Sequence, residues 1–373
     1  MLINVVTPEH YLRRIEETKK RMEEKDLDLL VVFSDAWNSA NSRYLTGVKS
    51  YCMPMRFYYF YAPMSVVTIP LKDDPALFIS LPGWAKRDVT GTLREKPFIK
   101  VQNLSELKGA LTTLGSKAKR IGYEGKELTP WQVYEDFKKA VGKEMVDTDI
   151  LEVMRRVKED IEIKLLEVAS NINDRICEEL VHGIIRYGVT EREVERQIKV
   201  LGYGMGCDDV DAQYMIGRHI DFGHPTDATP VDGDILSLHV ILRYEGYASD
   251  NDRIMGFGRI TEKERELATI AKEAFWNGLK AMKPGMKATD IYKAANETSP
   301  LVKAHSHGIG LAGEELGMVD TWGVLEEGMA FTYSPVASDP KIDLEWSTED
   351  VVVITDTGAR TLTKFPIDYM IQR

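Results

Sequence analysis

Histidine and carboxylate side chains are the candidates for chemistry in this chain of 373 residues, whereas its cysteines are not. Cys52, Cys177 and Cys207 are odd in number and have no Cys-x-x-Cys spacing, which indicates neither a disulfide framework nor a thiolate zinc site. We expect them to be small buried hydrophobic residues. His305 comes two residues before His307, so on a strand both side chains would face the same side.

Composition and charge limit the classes of function. Hydrophobic residues make up 43% of the chain and charged residues 29%, which is typical of a globular protein. The formal net charge of −11 disfavours nucleic acid as a partner, because phosphate recognition needs clusters of Lys and Arg. The first residues do not resemble a secretion signal, and no apolar run reaches the ~18 residues of a membrane span. We therefore expect a cytosolic protein with no membrane contact.

Helical and strand patterns alternate over the first 150 or so residues. Residues 8–26 predict an amphipathic helix, and the apolar run 28–33 is typical of a buried strand. Further strands are predicted at 58–69, 77–81 and 120–123. Helices are predicted at 104–113 and 130–141. This alternation predicts an α/β domain over residues 1–152, with a mixed or parallel sheet.

The remainder of the chain, residues 153–373, is predicted to form a second domain of α+β type. Helical periodicity extends from about 150 to 187, and the capping-box spacing of Thr190 and Glu193 starts another helix. Three further strands are expected towards the C-terminus. The strands 234–242 and 244–257 are predicted to form a hairpin. A long helix is predicted at 261–282. Two domains also agree with the length of the chain.

Six short blocks follow one another over residues 155–366. They are Gly233–His239, Glu245–Arg253, Lys283–Gly285, His307–Gly310, Leu325–Met329 and Glu349–Ile354, and Leu362–Pro366 closes the series. In order and spacing these blocks resemble the pita-bread metallopeptidase family, in the branch of creatinase, prolidase and aminopeptidase P. The resemblance implies a creatinase-like α/β domain followed by an α+β pita-bread domain of the creatinase and methionine aminopeptidase type.

The same resemblance implies where metal ligands would lie. In metal-dependent relatives, two aspartates, one histidine and two glutamates hold two divalent cations, and the matching positions here are His239, Asp250, His307, Ser334 and Glu349. His239 replaces an aspartate and Ser334 replaces a glutamate, so charge that would balance two close cations is lost. We expect either no metal or one ion (Mn, Fe, Zn or Co) held by Asp250, His307 and Glu349, with His239 as an optional ligand. Without metal, these side chains would only form hydrogen bonds.

Two further positions depart from the peptidase branch. Glu314 and Glu315 stand where those relatives have a histidine followed by a glutamate, and Ser347 stands where an arginine comes two residues before the last glutamate. Together with the changed ligand positions, these differences favour a reaction other than two-ion proteolysis.

Creatinase is a metal-free precedent for such a reaction on the same fold. His224 precedes the Gly233–His239 block much as the proton-transferring histidine does in creatinase, and histidine can both accept and donate a proton near neutral pH. The resemblance therefore implies His224 as a catalytic residue. Asp252 matches a glutamate that holds the substrate in creatinase, and Glu349 completes the predicted catalytic set.

Three side chains are predicted to bind substrate, namely Arg56, His305 and Tyr247. Arg56 lies in the aromatic segment Tyr51–Tyr61, and in creatinase-like dimers this region reaches the active site of the neighbouring subunit and binds a carboxylate. The resemblance thus implies a homodimer with the N-terminal domain of one subunit near the active site of the other. The alternative for Arg56 is an arginine that flanks buried aromatic residues, and His305 could line the pocket or only cap it.

Three functional hypotheses follow. The first is a creatinase-like hydrolase that cleaves a C–N bond of a small polar substrate, with His224 in proton transfer and no two-ion centre. The second is a metal-dependent Xaa-Pro dipeptidase or aminopeptidase that tolerates His239 and Ser334. The third is a lyase or a non-catalytic ligand-binding protein. The residues leave the substrate open, because one fold hosts several reactions.

Overall fold

The computed structural model describes residues 6–35, 38–48, 64–79, 99–219 and 223–371. The chain forms two compact units, Met1–Met154 and Arg155–Arg373. Both the boundary between the units and the predicted boundary after residue 152 fall within one short helix, Ile150–Arg156. None of the helices in the described residues is both long and apolar enough to span a bilayer.

Within the described residues of the N-terminal unit, a mixed sheet of six strands forms the centre, in the order β4-β3-β2-β1-β5-β6. Its strands are β1 (Leu29–Asp35), β2 (Met64–Pro70), β3 (Ala76–Ile79), β4 (Lys100–Asn103), β5 (Ile121–Glu124) and β6 (Met145–Asp147). Strand β1 pairs antiparallel with β2 and parallel with β5. A continuous apolar strand such as β1 is typical of a position at the centre of a covered sheet. The predicted α/β organisation is confirmed, although residues 58–63 of the predicted strand 58–69 and residues 80–81 of the predicted strand 77–81 lie outside the described residues.

The helices in the described part of this unit are α1 (Pro8–Glu24), α2 (Ala40–Thr46), α3 (Leu107–Lys117) and α4 (Trp131–Val141), and α5 (Ile150–Arg156) spans its end. Buried residues of α3 and α4 share one hydrophobic core with the sheet. Helices α3 and α4 approach closely at Gly115, where an added Cβ would lie 2.3 Å from the backbone oxygen of Val141. A glycine at this position lets the two helix backbones come into contact.

In the C-terminal unit, the helical pattern predicted for residues 150–187 is interrupted. Helix α6 (Asp160–Glu179) begins only after Lys158, whose amide donates to the carbonyl of Gly328, while Val157 pairs with Met329. Pairing with this distant segment therefore replaces helical hydrogen bonds. A π-helical turn follows α6, and the other helices are α7 (Glu191–Gly204), α8 (Glu262–Ala281) and α9 (Lys293–Asn296).

The strands of this unit form one large sheet. Of the ten strands found in the described residues of this unit, seven follow the order β12-β11-β13-β14-β9-β8-β7, while β10 pairs with β13, β15 with β14 and β16 with β9. The strands are β7 (Asp209–Ile216), β8 (Ile235–Tyr244), β9 (Tyr247–Phe257), β10 (Val302–His305), β11 (His307–Gly308), β12 (Glu315–Met318), β13 (Ala330–Asp339), β14 (Leu344–Ile354), β15 (Ala359–Thr361) and β16 (Met370–Ile371). The prediction of three strands after α8 was wrong, because several of these strands have only two to four residues and show no periodic pattern.

The hairpin of β8 and β9 is confirmed and supplies two strands of the site. Glu245 and Gly246 join the strands, and both have positive φ (48° and 84°), as a tight type I′ turn requires. Along β8, Leu238 and its neighbours two residues away pack in the core with Ile176 of α6. Because side chains alternate between the faces of a strand, the residues between them, including His239, point to the opposite face.

Candidate active site

Polar residues from separate strands form a row across one face of the C-terminal sheet. His239 on β8 pairs with Asp252 on β9, and Asp252 pairs with Glu349 on β14. On the far side of β13, His305 of β10 pairs with Ser334. Residues directly opposite each other on paired strands point to the same face of the sheet. These pairs therefore place histidines at both ends of the row and carboxylates between them.

Ser334 completes the row. The register of β13 with β14 pairs Tyr333 with Asp350, which puts Ser334 opposite Glu349. The Ser334 hydroxyl is buried and lies 3.2 Å from the hydroxyl of Ser347, so these two positions hydrogen-bond each other. A short serine side chain leaves open the space between His305 and Glu349 that a longer residue at 334 would fill.

Two histidines contact the buried carboxylates at short range. Nε2 of His239 lies 3.0 Å from Oδ1 of Asp250 and 3.7 Å from Oδ1 of Asp252. Nε2 of His307 lies 3.3 Å from Oε1 of Glu349 and 3.7 Å from Oδ2 of Asp250. All four predicted metal-ligand positions are thus within one cluster, although their role as ligands stays a prediction.

A backbone carbonyl fixes the tautomer of His307. Its Nδ1 lies 3.1 Å from the carbonyl oxygen of Gly308, and an N–H donated to that carbonyl leaves Nε2 with a free lone pair. A ring held in this way can offer Nε2 to a metal ion as a ligand.

His305 stands at the edge of the cluster. Its side chain is 48% exposed, and its Nε2 lies 4.0 Å from Oε2 of Glu349. The intervening Ser306 is fully buried and bonds the hydroxyl of Tyr292, so His305 and His307 face the same side, as the sequence spacing predicts. The two imidazoles approach different oxygens of the same carboxylate.

Within this cluster, three buried carboxylate oxygens have no hydrogen-bond donor among the described residues. They are Oδ2 of Asp250, Oδ1 of Asp252 and Oε1 of Glu349, and the 3.3 Å contact of His307 with the last lacks hydrogen-bond geometry. Buried anionic oxygens without donors are costly unless a cation or water meets them. Ligand atoms of Asp250, His307 and Glu349 lie within 4.8 Å of one another. This donor set fits one divalent ion, since its two carboxylates balance the charge of a single cation.

Without metal, protonated imidazoles in the cluster balance the negative charge of the carboxylates. Burial opposes protonation of both imidazoles, but the bond to Asp250 and the charges of Asp252, Asp250 and Glu349 raise the pKa of His239 to about 10. Contact with Glu349, whose charge is close, raises the pKa of His307 to about 9 against the same burial. Burial raises the pKa of Asp250 and Asp252, helped by the charge of Glu349, whereas the imidazoles hold the pKa of Glu349 below its ordinary value against burial.

A buried ion pair supports the row from the opposite face of the sheet, and sequence reasoning missed it. Arg253 is fully buried, and its Nη2 lies 2.6 Å from Oδ1 of Asp350. Its Nη1 donates to the backbone carbonyls of Asp252 and Glu349 at 2.7 and 2.9 Å. The guanidinium therefore ties together the two strands that carry these carboxylates. The only signal in the sequence was the position of each residue directly after a site carboxylate.

Glu315 also has a structural role that the sequence did not reveal. It is buried and forms ion pairs with Arg155 and with Lys158, whose Nζ lies 3.5 Å from Oε1. Its Oε2 also accepts a hydrogen bond from the amide of Ala312 at 3.0 Å. This cluster fixes the loop after His307. Glu314, in contrast, is exposed.

The other predicted residues lie apart from the cluster. His224 is exposed in the connection between β7 and β8, and in the described part of the chain no hydrogen bond or ion pair links it to the site carboxylates. Tyr247 requires a correction: it lies three residues from Asp250 on the same strand and therefore faces the opposite side, where its hydroxyl donates to Glu162 at 2.9 Å. A substrate contact by Tyr247 is not supported. Arg56 lies outside the described residues.

The two cysteines among the described residues lie apart from this site. Cys177 and Cys207 are free and buried, as expected from their spacing, and Cys52 lies outside the described residues. Burial raises the pKa of Cys177 to about 12, so its thiol stays protonated at neutral pH.

Comparison with known proteins places this geometry in a family. The family model of metallopeptidase family M24 matches residues 164–356. This chain belongs to family M24. The model of the creatinase/prolidase N-terminal domain matches residues 14–157, and together the two matches confirm the predicted creatinase-like domain followed by a pita-bread domain.

The proteins that are similar to this M24 member include prolidases. The Xaa-Pro dipeptidase of Pyrococcus furiosus is 28% identical over 283 residues, which cover 72% of this chain and 79% of the relative. The solved prolidase from Pyrococcus horikoshii OT3 has a TM-score of 0.80 at 22% identity, covering 95% of this chain and 99% of that one. Dipeptidase PepE from Mycobacterium ulcerans has a TM-score of 0.81 at 21% identity, covering 99% and 100%. These similarities support a hydrolase of the peptidase type.

Proposed function

We propose that this chain is an Xaa-Pro peptidase that works with one divalent ion held by Asp250, His307 and Glu349. The observation that carries the proposal is the convergence of three ligand atoms within 4.8 Å, with Oδ2 of Asp250 and Oε1 of Glu349 buried and without hydrogen-bond donors among the described residues. The relatives named as Xaa-Pro dipeptidase and prolidase support the substrate class. The second hypothesis from the sequence is thereby favoured over the creatinase-like one.

The site residues have distinct tasks in such a reaction. A bound divalent ion would supply polarisation of the scissile carbonyl and activation of water. Asp252 is paired with Glu349 across the strands and is buried, with a raised pKa, so it can hold a proton near neutral pH and pass it on. His239 contacts both Asp250 and Asp252 and keeps these carboxylates in place.

One ion, rather than two, agrees with the residues at the two substituted ligand positions, Ser334 and His239. Ser334 offers only a hydroxyl, which is already bonded to Ser347. His239 offers a neutral or positively charged group where an anion would be needed beside a second cation. Two adjacent cations would then share too few negative charges.

The test uses the full chain, stripped with a chelator and reloaded with Mn²⁺, Fe²⁺, Co²⁺ or Zn²⁺. We expect about one ion per chain by elemental analysis, and hydrolysis of Ala-Pro but not of Ala-Ala that is lost on chelation and recovered on reloading. His307→Ala and Asp250→Asn should lose both ion and activity. Asp356→Asn, which removes an exposed charge, is the matched control. Two ions per chain, or Ala-Pro hydrolysis untouched by chelation, would overturn the proposal.

A metal-free hydrolase is the second candidate, and one contact favours it. Nε2 of His239 bonds Oδ1 of Asp250 at 3.0 Å, so an imidazole already compensates a carboxylate that would otherwise need a cation. This candidate predicts C–N bond hydrolysis that resists chelators and is abolished in His224→Ala. A lyase would release an unsaturated product, and a non-catalytic member would bind a ligand without turnover.

Assembly and location extend the proposal. We propose a homodimer in the cytosol, in which Arg56 of one subunit binds the substrate carboxylate in the other. Light scattering on the purified chain measures the mass, for which two subunits are expected. Arg56→Met should raise KM for Ala-Pro with little change in kcat, and an unchanged KM would exclude this role.

A further inference from the structure

We propose that His305 is an additional ligand of the bound ion and acts across the gap left by Ser334. The inference rests on the proposed function, because it requires that an ion binds to Asp250, His307 and Glu349. His305 is not one of the three residues whose ligand atoms already converge. Its placement in the row, and its approach to Glu349, are what assign it this role.

The strand register brings His305 towards Glu349 even though another strand lies between them. His305 is paired with Ser334, and Ser334 lies opposite Glu349, so all three side chains project from the same face. Neighbouring strands are about 4.8 Å apart, which puts the backbones of His305 and Glu349 roughly 10 Å apart. Their side chains nevertheless approach to 4.0 Å because the serine between them is short.

The distance from His305 to Glu349 suits two ligands that share one ion. A metal–nitrogen or metal–oxygen bond to these ligands is about 2.1 Å long, so two atoms that share an ion lie no more than ~4.2 Å apart. Nε2 of His305 and Oε2 of Glu349 are within this limit at 4.0 Å. Nε2 of His307 meets the other oxygen, Oε1, at 3.3 Å. Glu349 can therefore offer one oxygen beside each imidazole.

The surroundings of His305 leave its ring free to move onto an ion. Its side chain is about half exposed, and Glu349 is its one ion-pair partner within the residues that the structure describes. His307 is held in place by Gly308, whereas His305 has no comparable bond to its ring in that part of the chain. The small adjustment needed for coordination would thus break no other interaction.

The charge of the resulting ligand set also agrees with one ion. Two carboxylates, Asp250 and Glu349, and two imidazoles, His305 and His307, carry a net charge of −2 when the imidazoles are neutral, which balances one divalent cation. Imidazole ligands favour Zn²⁺, Fe²⁺ and Co²⁺ over Mg²⁺ and Ca²⁺. The alternative role, a half-exposed histidine that only contacts Glu349, would leave the affinity for metal unchanged.

Binding of Co²⁺ by the stripped full chain tests this inference. Wild type, His305→Ala and His305→Glu are titrated against a competing chelator, and the visible d–d spectrum of bound Co²⁺ is recorded. His182→Ala is the matched control, since His182 is an exposed histidine whose ring lies against Tyr369. We expect His305→Ala to weaken binding by at least about tenfold and to change the spectrum. His305→Glu, which restores a ligating group of similar length, should recover most of the affinity.

The outcomes separate this inference from the proposed function. No Co²⁺ binding by wild type would refute the proposed function itself. Tight binding by wild type with the same affinity and spectrum in His305→Ala would overturn only the role of His305. Because His305 is half exposed, its replacement should not impair folding, and thermal unfolding of the metal-free variants checks this point.

Discussion

Arg253 carries a buried positive charge directly behind the candidate active site, and Asp350 is the anion paired with it. The guanidinium is fully buried, with Nη2 2.6 Å from Oδ1 of Asp350. Asp350→Asn removes the negative charge while preserving the size of the side chain. The arginine would then keep its charge in a site that water does not reach, so the variant should be strongly destabilised.

The size of the effect follows from the remaining partners. Removal of one partner from a buried ion pair costs about 3–5 kcal/mol. The charge of Asp174 still acts on Arg253, and the guanidinium keeps bonds to the carbonyls of Asp252, Glu349 and Phe365. We therefore expect the low end of the range, about 3 kcal/mol. For a unit of this size that corresponds to a fall in Tm of roughly 6–12 °C.

Thermal unfolding of metal-free protein at pH 7, followed by circular dichroism or calorimetry, measures the change. Asp368→Asn is the matched control, because Asp368 pairs with Lys272 at a similar distance of 2.7 Å but both side chains are about 40% exposed. An exposed pair of this kind is worth less than about 1 kcal/mol. Equal small shifts in the two variants would refute the reasoning, since burial would then have no influence on the cost of losing the anion.

Three other expectations can be checked with the same protein. Zn²⁺ at 100 times its Kd should raise the free energy of unfolding by about 2.7 kcal/mol, seen as a higher Tm, and this shift should be absent in His307→Ala. In metal-free protein, the pKa of His239 is raised from 6.5 to about 10. The contact of protonated His239 with Asp250 therefore stabilises the fold fully below about pH 6.5, and this stabilisation is lost as pH rises through 10. Between these pH values, Tm should fall more in wild type than in His239→Asn. Gly115→Ala should lower the free energy of unfolding by about 1–3 kcal/mol, because the added Cβ would meet a backbone oxygen of α4. Gly109→Ala is on the same helix and its Cβ would have no neighbour within 4 Å, so this control should leave the free energy of unfolding unchanged or raise it slightly. Chemical denaturation measures both changes.

Local patterns in the sequence determined most of the elements. The helix α8 was predicted within a residue at each end, and in the structure Thr261 and Glu264 form a capping box at its start. The hairpin of β8 and β9 followed from two apolar runs around Glu245-Gly246. The same strand periodicity could have shown that Tyr247, an odd number of residues from Asp250, faces away from it. The short strands after α8 gave no such pattern.

The resemblance to a known family pointed to the ligand positions, but only the tertiary structure decided how they meet. Which residue of β10 lies opposite Ser334, and which residue of β14 lies opposite Asp252, depends on the register between strands that are far apart in the sequence. That register is set by packing of the opposite face against the helices, since a slip of one residue would turn every side chain to the wrong side. The approach of His305 to Glu349 over a serine, and the arginine buried behind the row, are therefore properties of the assembled sheet that a one-dimensional pattern does not contain.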